Sequence, residues 1–224
     1  MRIPLTHYGQ RELVLGTLIL GVLTAVGVVL FWPAAALPAG LWVYLLVFFR
    51  DPRRQPEDEE GFLAPADGKV VDISPVGPDG PLGRDGLRIG IFMSLLDVHV
   101  NRSPCAGEVA KLEHHGGGFV DARRPEAAER NESTTIVLSC RRGEAAFPVA
   151  VRQIAGMIAR RIVTDLRVGQ QLAPAQRIGM VKFGSRVELI VPTEQAGRVA
   201  VATGSIVRAG QTTLVYPPPQ QEQP

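Results

Sequence analysis

A glycine followed by a serine is the pair in this sequence with the most unusual chemical potential. Ser185 directly follows Gly184, within the run GMVKFGSRVELI at residues 179–190. A serine hydroxyl can attack the neighbouring glycine carbonyl and convert the amide to an ester, and β-elimination then breaks the chain. The resulting dehydroalanine tautomerises and hydrolyses to a pyruvoyl group. Glycine favours the attack because it lacks a Cβ and tolerates strained backbone angles. Such a pair is commonplace by itself, and we expect the second one, Gly204–Ser205, to be a turn.

Other residues that could do chemistry are few. The chain has four histidines, His7, His99, His114 and His115. No Cys/His spacing fits a metal site, and no GxSxG, HExxH, P-loop or EF-hand motif occurs. The adjacent His114 and His115 would face opposite sides of a strand, so they cannot both bind one metal. The glycines at 116–118 lack the lysine and helix start of a P-loop and predict a flexible loop. We expect no metal.

The elements that must position these residues are short strands separated by glycine and proline, which predicts a mostly β (α+β) domain over residues 62–216. One helical stretch is predicted at 125–130. Segments 166–181 and 201–215 share a strand, turn and strand texture typical of barrel-sandwich hairpins such as those of lipoyl domains. The tail 217–224 is predicted to be disordered. The predicted strands are Lys69–Ile73, Leu87–Met93, Thr134–Leu138, Phe147–Val151, Ile158–Val163, Arg186–Val191 and Arg198–Val201.

Residues 1–50 have the composition of a membrane anchor. Leu13–Trp32 is an uncharged apolar run, long enough to cross ~30 Å of hydrocarbon as a helix. A second apolar run, 34–49, follows Pro33 and is short for a full crossing. A hairpin of two transmembrane spans and a single span with a re-entrant or interfacial segment both fit. Arginines flank both ends of the pair, which predicts that both ends face the cytoplasm. Residues 51–61 are predicted to be a solvated linker.

Composition and charge exclude several classes of protein. The chain is 46% hydrophobic and 21% charged, too apolar for a disordered protein. Its net charge of +2 equals that of residues 1–50 alone, so the remainder is neutral overall and nucleic-acid binding is disfavoured. Cys105 and Cys140 are too few for a disulfide framework. We interpret them as free thiols in a reducing compartment, although a single bridge remains open.

The run around Gly184–Ser185 resembles the processing site of phosphatidylserine decarboxylases, closest to the short bacterial and archaeal type. The resemblance spans roughly residues 13–215. Five further blocks agree in order: FFRDP at 48–52, PADGKV at 65–70, SLLDVHVNR at 94–102, ERNE at 129–132 and QIAG at 153–156. Longer family members read D-x-H-x-x-H in the block at 94–102, and Arg102 stands here where their second histidine would fall.

The resemblance implies a proenzyme that cuts itself between Gly184 and Ser185. A long chain, 1–184, and a short chain, 185–224, would stay associated as a heterodimer, and a higher oligomer is left open. Ser185 would become a covalent pyruvoyl group, the only cofactor implied. That group would form a Schiff base with the amine of phosphatidylserine in the bilayer, and decarboxylation would give phosphatidylethanolamine. The expected location is the inner cell membrane, with the catalytic domain on its cytoplasmic side.

The resemblance also implies roles for individual residues. His99 and Asp67 are the candidates for the base that activates the serine and for a carboxylate that orients this base. Two steps stay open for His99, the self-cleavage or the return of a proton to the decarboxylated substrate, because Arg102 stands in place of the second histidine. Arg102, Gly117 and Phe119 are candidate substrate contacts.

Two alternatives stay open from the sequence. One is a membrane-anchored adaptor or carrier without enzymatic activity that holds a lipoyl or biotinyl group on Lys182. A carrier lysine normally lies at an exposed hairpin tip, whereas Lys182 falls inside an alternating run, which counts against this alternative. The other is a decarboxylase that acts on an ether-linked archaeal serine lipid.

Overall fold

The computed structural model describes residues 4–58, 60–124, 126–142, 145–157, 161–182 and 184–219. The chain divides into two compact units, Met1–Arg53 and Arg54–Pro224. The first is helical and the second is built from strands.

Two apolar helices form the first unit. They are α1 (Gln10–Leu30) and α2 (Ala36–Phe48), with short 3-10 turns at His7–Gly9 and Trp32–Ala35. The helices pack antiparallel: Gly16 lies against Leu45, and the Trp42 Nε1 atom donates to Thr17 Oγ1 at 3.2 Å. The described segment His7–Leu30, of 24 residues, is long and apolar enough to cross a membrane.

The break between the helices comes earlier than the expected boundary at residue 32. Phe31 is fully extended (φ −163°, ψ 96°), which ends α1 at Leu30. Pro33 then lies near the start of the 3-10 turn, where its missing N–H costs nothing. The second helix therefore begins at Ala36, two residues after the predicted start of the second apolar run.

The second unit is mostly β, as predicted. Its strands are β1 (Phe62–Leu63), β2 (Gly68–Val76), β3 (Gly86–Met93), β4 (Val100–Arg102), β5 (Gly107–His115), β6 (Ser133–Arg142), β7 (Ala145–Ile154), β8 (Ile162–Val163), β9 (Gln171–Leu172), β10 (Arg177–Val181), β11 (Ser185–Pro192), β12 (Arg198–Val199), β13 (Ile206–Val207) and β14 (Thr213–Tyr216). An eight-stranded sheet has the order β13-β2-β3-β11-β7-β6-β5-β9, and two three-stranded sheets have the orders β1-β14-β12 and β4-β10-β8. All described neighbours are antiparallel. A short helix, α3 (Ala127–Arg130), precedes β6, and a 3-10 turn, Thr193–Gln195, follows β11.

Most predicted strands lie within observed ones, namely β2, β3, β6, β7 and β11. The predicted Arg198–Val201 is shortened to β12. Some predicted positions lie outside the described residues. They are 158–160 of the predicted strand Ile158–Val163, 125 of the predicted helix and 220–224 of the predicted tail.

The two segments expected to form hairpins do not pair with themselves. In segment 166–181, β9 pairs with β5, while β10 pairs with β4 and β8. In segment 201–215, β13 pairs with β2, while β14 pairs with β1 and β12. In both segments the two strands join different sheets. Gly169 and Gly204 precede β9 and β13, and the turns that separate the two strands contain Pro174 and Ala175 in the first segment and Gly210 in the second.

Strand β11 lies in the middle of the large sheet. It pairs with β3 over its whole length, from Ser185 opposite Met93 to Pro192 opposite Gly86, and with β7 on its other side. Side chains alternate between the faces of a strand. Val187 and Leu189 belong to the main hydrophobic core, so Ser185, two residues before Val187, lies on the same inner face.

Part of the predicted linker packs onto the β unit. The Arg54 side chain is buried and its Nη2 atom lies 2.6 Å from Asp67 Oδ2. The Glu57 amide donates to the Gln211 carbonyl at 3.1 Å. This segment departs from the expected solvated linker because the buried Asp67 carboxylate binds a counter-charge from it.

Candidate active site

Ser185 is the first residue of β11 and is completely buried. Within the described part of the chain its Oγ atom has no hydrogen-bond partner. A buried hydroxyl left in this state costs roughly 1–3 kcal/mol. The hydroxyl therefore contributes nothing evident to stability, and it has a lone pair and a proton available for chemistry.

Gly184 has a backbone conformation that favours glycine, with φ +66°. No atom lies within 4 Å of the position where a Cβ would stand. Its carbonyl oxygen lies against Gly156, so closely that a Cβ on Gly156 would overlap it. The peptide carbonyl before Ser185 is thus unhindered on one side and held against a glycine on the other.

The second Gly-Ser pair makes a useful contrast. Gly204 also has a positive φ, +99°. The Ser205 Oγ atom, however, accepts a hydrogen bond from the Ala202 amide at 3.1 Å, and the Ser205 amide donates to the Ala202 carbonyl at 3.0 Å. The pair forms a turn, as predicted, and the hydroxyl of Ser205 is already used.

His99 is fully buried and comes directly before β4. Its Nδ1 atom lies 2.9 Å from the Asp97 carbonyl oxygen. A carbonyl oxygen can only accept, so Nδ1 carries the hydrogen and donates it. In the neutral ring Nε2 is then the basic nitrogen, which is the arrangement required of a proton acceptor. Strand β4 pairs with β10, which ends at Val181, four residues before Ser185.

A network of buried polar side chains joins β4, β7 and β3. The Gln153 Nε2 atom donates to Asn101 Oδ1 at 2.8 Å, and the Asn101 Nδ2 atom lies 3.5 Å from Met93 Sδ. Asn101 and Gln153 are completely buried, and Met93 is the register partner of Ser185. Sequence reasoning gave Asn101 and Gln153 no role, although both lie in blocks that carry the family resemblance.

Asp67 lies in another environment. Its Oδ1 atom accepts from the Ala209 amide at 2.8 Å and its Oδ2 atom accepts from Arg54. Burial raises the pKa of the Asp67 carboxyl, while the Arg54 guanidinium and the Ala209 amide oppose that shift. Both described hydrogen bonds of this carboxylate thus go elsewhere than to His99, which instead is oriented by the Asp97 carbonyl.

The three candidate substrate contacts lie in packed surroundings. Arg102 is buried and its Nη1 atom donates to the Ala175 carbonyl at 2.9 Å. Gly117 lies against the backbone of Asn131, where a Cβ would approach to 2.5 Å. Phe119 packs on Ala155 and Val181. Of these two, Val181 is close in sequence to the Gly184–Ser185 bond. A headgroup contact for these residues stays a prediction.

The Asn131 side chain forms hydrogen bonds with the backbone of the segment that carries Phe119. Its Nδ2 atom donates to the carbonyls of Val120 and Ala155, both at 2.7 Å, and its Oδ1 atom accepts from the Val120 amide at 2.8 Å. Ala155 precedes Gly156, so the same amide side chain also holds the chain that supports the Gly184 carbonyl. This role too was missed, because it depends on contacts distant in sequence.

Lys182 is buried, with 5% of its surface exposed. A lysine that carries a lipoyl or biotinyl group must project into solvent to be modified and to swing between partners. The carrier alternative is therefore not supported by the position of Lys182.

A buried ionic cluster lies on the opposite face of the large sheet. Arg186 Nη2 is 2.8 Å from Glu188 Oε1 and 3.2 Å from Asp72 Oδ2. The guanidinium lies flat over Gly90, where a Cβ would meet its Nη2 atom at 2.6 Å. The cluster ties the start of β11 to β2 and β3.

The two cysteines are free but adjacent. Cys105 Sγ and Cys140 Sγ are 2.8 Å apart. The hydrogen bond with the Cys140 thiol, together with burial, raises the pKa of the Cys105 thiol. Within the described ranges, His, Cys, Asp and Glu residues form no group of three that could hold a metal ion.

Comparison with known proteins agrees with the resemblance. The family model described as phosphatidylserine decarboxylase matches residues 43–215. The phosphatidylserine decarboxylase proenzyme of Rhodopirellula baltica is 38% identical over 214 residues, which cover 95% of this chain and 88% of that protein. The proenzyme of Pelobacter propionicus is 42% identical over 181 residues, 80% of each chain. That of Desulfotalea psychrophila is 41% identical over 172 residues, 76% of this chain and 78% of the relative. The chain therefore belongs to the phosphatidylserine decarboxylase family of enzymes.

Proposed function

We propose that this chain cuts itself between Gly184 and Ser185 and then decarboxylates phosphatidylserine to phosphatidylethanolamine at a membrane surface. The observation that carries the proposal is the Ser185 hydroxyl, buried and without a hydrogen-bond partner among the described residues. It follows a glycine with open space at the position of a Cβ and with its carbonyl oxygen held against Gly156. The contrast with Ser205, whose hydroxyl is engaged in a turn, supports the choice of this bond.

The self-cleavage needs a base for the Ser185 proton. We assign this role to His99, because the Asp97 carbonyl fixes its tautomer with Nε2 basic. The Ser185 oxygen bonds to the Gly184 carbonyl carbon, and the amide C–N bond breaks to leave an ester. Loss of the Ser185 α-proton then breaks the Cβ–Oγ bond of Ser185, so that Oγ leaves as part of the Gly184 carboxylate and dehydroalanine remains at 185. Tautomerisation and hydrolysis with one water release ammonia and leave the pyruvoyl group.

The residues around Ser185 fit such a group. The position is buried on the inner face of the sheet, beside the Asn101–Gln153 network, and the adjoining Gly184 lines a cavity of about 420 Å³ through which an amine can approach. A pyruvoyl group at this position would supply an electron sink for the electron pair of the substrate's Cα–carboxylate bond. His99 is the group we propose to return a proton to the substrate Cα.

Asp67 has a supporting role in this proposal. Its carboxylate binds Arg54 and the Ala209 amide. It therefore links the segments that contain these two residues and does not orient His99. We infer that Asp67 positions residues 65–70 and acts on catalysis only through them.

The two chains are expected to stay together after the cut. Strand β11 would become the start of the short chain, and it pairs with β3 and β7 of the long chain. Arg186 adds ion pairs to Asp72 of β2. These contacts do not depend on the 184–185 peptide bond.

Membrane attachment follows from the substrate. A diacyl lipid leaves the bilayer reluctantly, because each buried CH₂ contributes ~0.8 kcal/mol. The segment His7–Leu30 has the length and apolarity to cross the membrane. We propose that α1 and α2 form a helical hairpin in the inner membrane and that the β unit faces the cytoplasm, in keeping with the flanking arginines.

Intact-mass spectrometry of the purified protein tests the proposal. We expect two fragments that divide between residues 184 and 185, with the short one beginning in a pyruvoyl group. Ser185→Ala should remain one inactive polypeptide, and the matched variant Ser205→Ala should cut and react normally. Decarboxylation by a chain that is intact at this bond would contradict the proposal.

A further inference from the structure

A cavity of about 420 Å³ opens beside Gly184, with mostly apolar walls. Phe92, Leu95, Leu96 and Met157 supply its apolar side chains. Larger clefts of about 520 Å³ and 900 Å³ occur elsewhere on the β unit, but Gly184 lines neither of them. The cavity with the apolar walls is thus lined by the residue on one side of the bond proposed to be cut.

The apolar side chains at its mouth are exposed. Leu96 is 69% and Met157 64% exposed, and Leu95 is also exposed. Large apolar side chains gathered around one opening mark a surface that binds an apolar partner. The turn that carries both leucines is fixed, because the Asp97 carboxylate accepts from the Ser94 amide and hydroxyl, each at 2.7 Å.

The polar edge of this opening carries charges of both signs. Arg123 Nη2 lies 2.6 Å from Asp121 Oδ2, and the Arg123 guanidinium stands 5.9 Å over the Phe92 ring. The neighbouring Arg124 is exposed, and the Asp97 carboxylate lies in the turn that carries both leucines. Two guanidinium groups and two carboxylates thus surround the opening, which suits a phospholipid headgroup that itself carries both signs of charge.

We propose that Leu95, Leu96 and Met157, here called the apolar rim, contact the acyl chains of a bilayer phospholipid and so bring its headgroup to the cavity beside Gly184. This inference rests on the proposed function, since it concerns how the same lipid substrate is held. The charged edge supports a phospholipid as the occupant, and so does the membrane-length apolar helix of the same chain. Arg123 and Arg124 then lie at the level of the lipid phosphates.

Substrate chain length provides the first test. For each variant, the rate on long-chain phosphatidylserine in vesicles is divided by the rate on water-soluble dibutyryl phosphatidylserine. Leu96→Ser and Met157→Ser should lower this ratio about five- to thirtyfold, because each loses most of the lipid contact of one large apolar side chain. Ile206→Ser and Val168→Ser, which alter residues 73% and 65% exposed elsewhere, should leave it unchanged. Equal ratios in all four variants, or an equal loss in the controls, would overturn the proposal.

A second measurement does not depend on activity. The full chain carries an environment-sensitive fluorophore on Leu96→Cys or, as control, on Ile206→Cys, with Cys105 and Cys140 replaced by serine. In vesicles that contain anionic phospholipid, the label at 96 should shift to the blue and be quenched by acyl-chain spin labels, whereas the label at 206 should not. A label at 96 that stays in water refutes the proposal for the apolar rim. A blue shift that appears without vesicles when the protein concentration is raised would also refute it, because the apolar rim would then bind a second copy of this chain. If the label enters the bilayer but the protein neither cuts nor decarboxylates, the proposed function fails and the lipid contact stands.

Discussion

Replacing Gly156 with alanine tests the geometry of the proposed cut. A Cβ at this position would come well within 3.0 Å of the Gly184 carbonyl oxygen, closer than real Cβ atoms come to other atoms. The Gly156 backbone is held, because the preceding Ala155 is buried and its amide donates to the Glu132 carbonyl at 2.9 Å. Gly184, in contrast, has no atom within 4 Å of the position of a Cβ, so its backbone can shift. The carbonyl of Gly184 is therefore the group that must move.

The size of the effect follows from this overlap. Relieving it requires a shift of about 1 Å, and a misplacement of that size at a reacting group lowers the rate on the order of 10²-fold. Overpacking costs about 1–3 kcal/mol of stability, and we expect the low end because the Gly184 side can relax outward. The Gly156→Ala protein should fold but cut itself about a hundredfold more slowly.

Self-cleavage of freshly translated protein, followed over time as the uncut fraction on a gel, measures the rate. Gly116→Ala is the matched control, since no atom lies within 4 Å of a Cβ there, and it should cut at the wild-type rate. Thermal unfolding followed by circular dichroism checks that both variants are folded. A Gly156→Ala protein that cuts as fast as the wild type would refute the proposed approach to the Gly184 carbonyl.

Three further predictions concern buried polar groups. Arg186→Met leaves the buried Glu188 carboxylate with Arg88 alone, 3.9 Å away, while Asp72 keeps Arg88 at 3.0 Å. It should lower the free energy of unfolding by about 3 kcal/mol, the low end for a broken buried ion pair, as measured by urea denaturation; a change under 1 kcal/mol would contradict the Arg186–Glu188 ion pair. The pKa of Asp67 is raised in the folded protein, so protonation of this carboxyl stabilises the fold at low pH. This contribution is lost as the pH rises from the pKa of an unfolded aspartate, about 3.9, through the pKa of Asp67 in the folded protein. Arg54→Gln removes the largest opposing effect, so the loss should extend to higher pH in unfolding measurements; an unchanged pH range would show that Arg54 does not act on this carboxyl. Oxidised glutathione should join Cys105 to Cys140, with loss of two hydrogens by mass spectrometry and a stabilisation of about 3–4 kcal/mol from closing the loop, and the stabilisation should be absent when both are serine.

The local part of the site could be predicted from the sequence. Gly184 and Ser185 are neighbours, and their chemistry depends on one bond and its flanking residues. Each block of the resemblance is also local, so the candidates His99 and Asp67 could be selected from the resemblance. What the blocks could not give was that the Asp67 carboxylate binds Arg54 and Ala209, since both contacts depend on folding.

The supporting residues were beyond reach for the same reason. Asn101 and Gln153 meet because β4 and β7 come together from positions 52 residues apart in the chain. Gly156 matters only because Gly184 lies against it. The expected hairpins were wrong in the same way: a glycine turn shows where the chain bends but not which strand it joins afterwards.

The position of Ser185 at the beginning of an inner strand has a consequence for the lifetime of the mature enzyme. Residues 185–192 are flanked on both sides by neighbours from the other piece, so a cut protein resembles two complementary fragments assembled once, while still covalently joined. After heat or denaturant separates them, the pieces would have to find each other by collision, and no step could restore the peptide link that guided the original folding. Unfolding on heating should therefore be irreversible for the mature form and reversible for uncut Ser185→Ala, as a repeated thermal scan followed by circular dichroism would show, so that resistance to unfolding becomes a matter of rate rather than equilibrium.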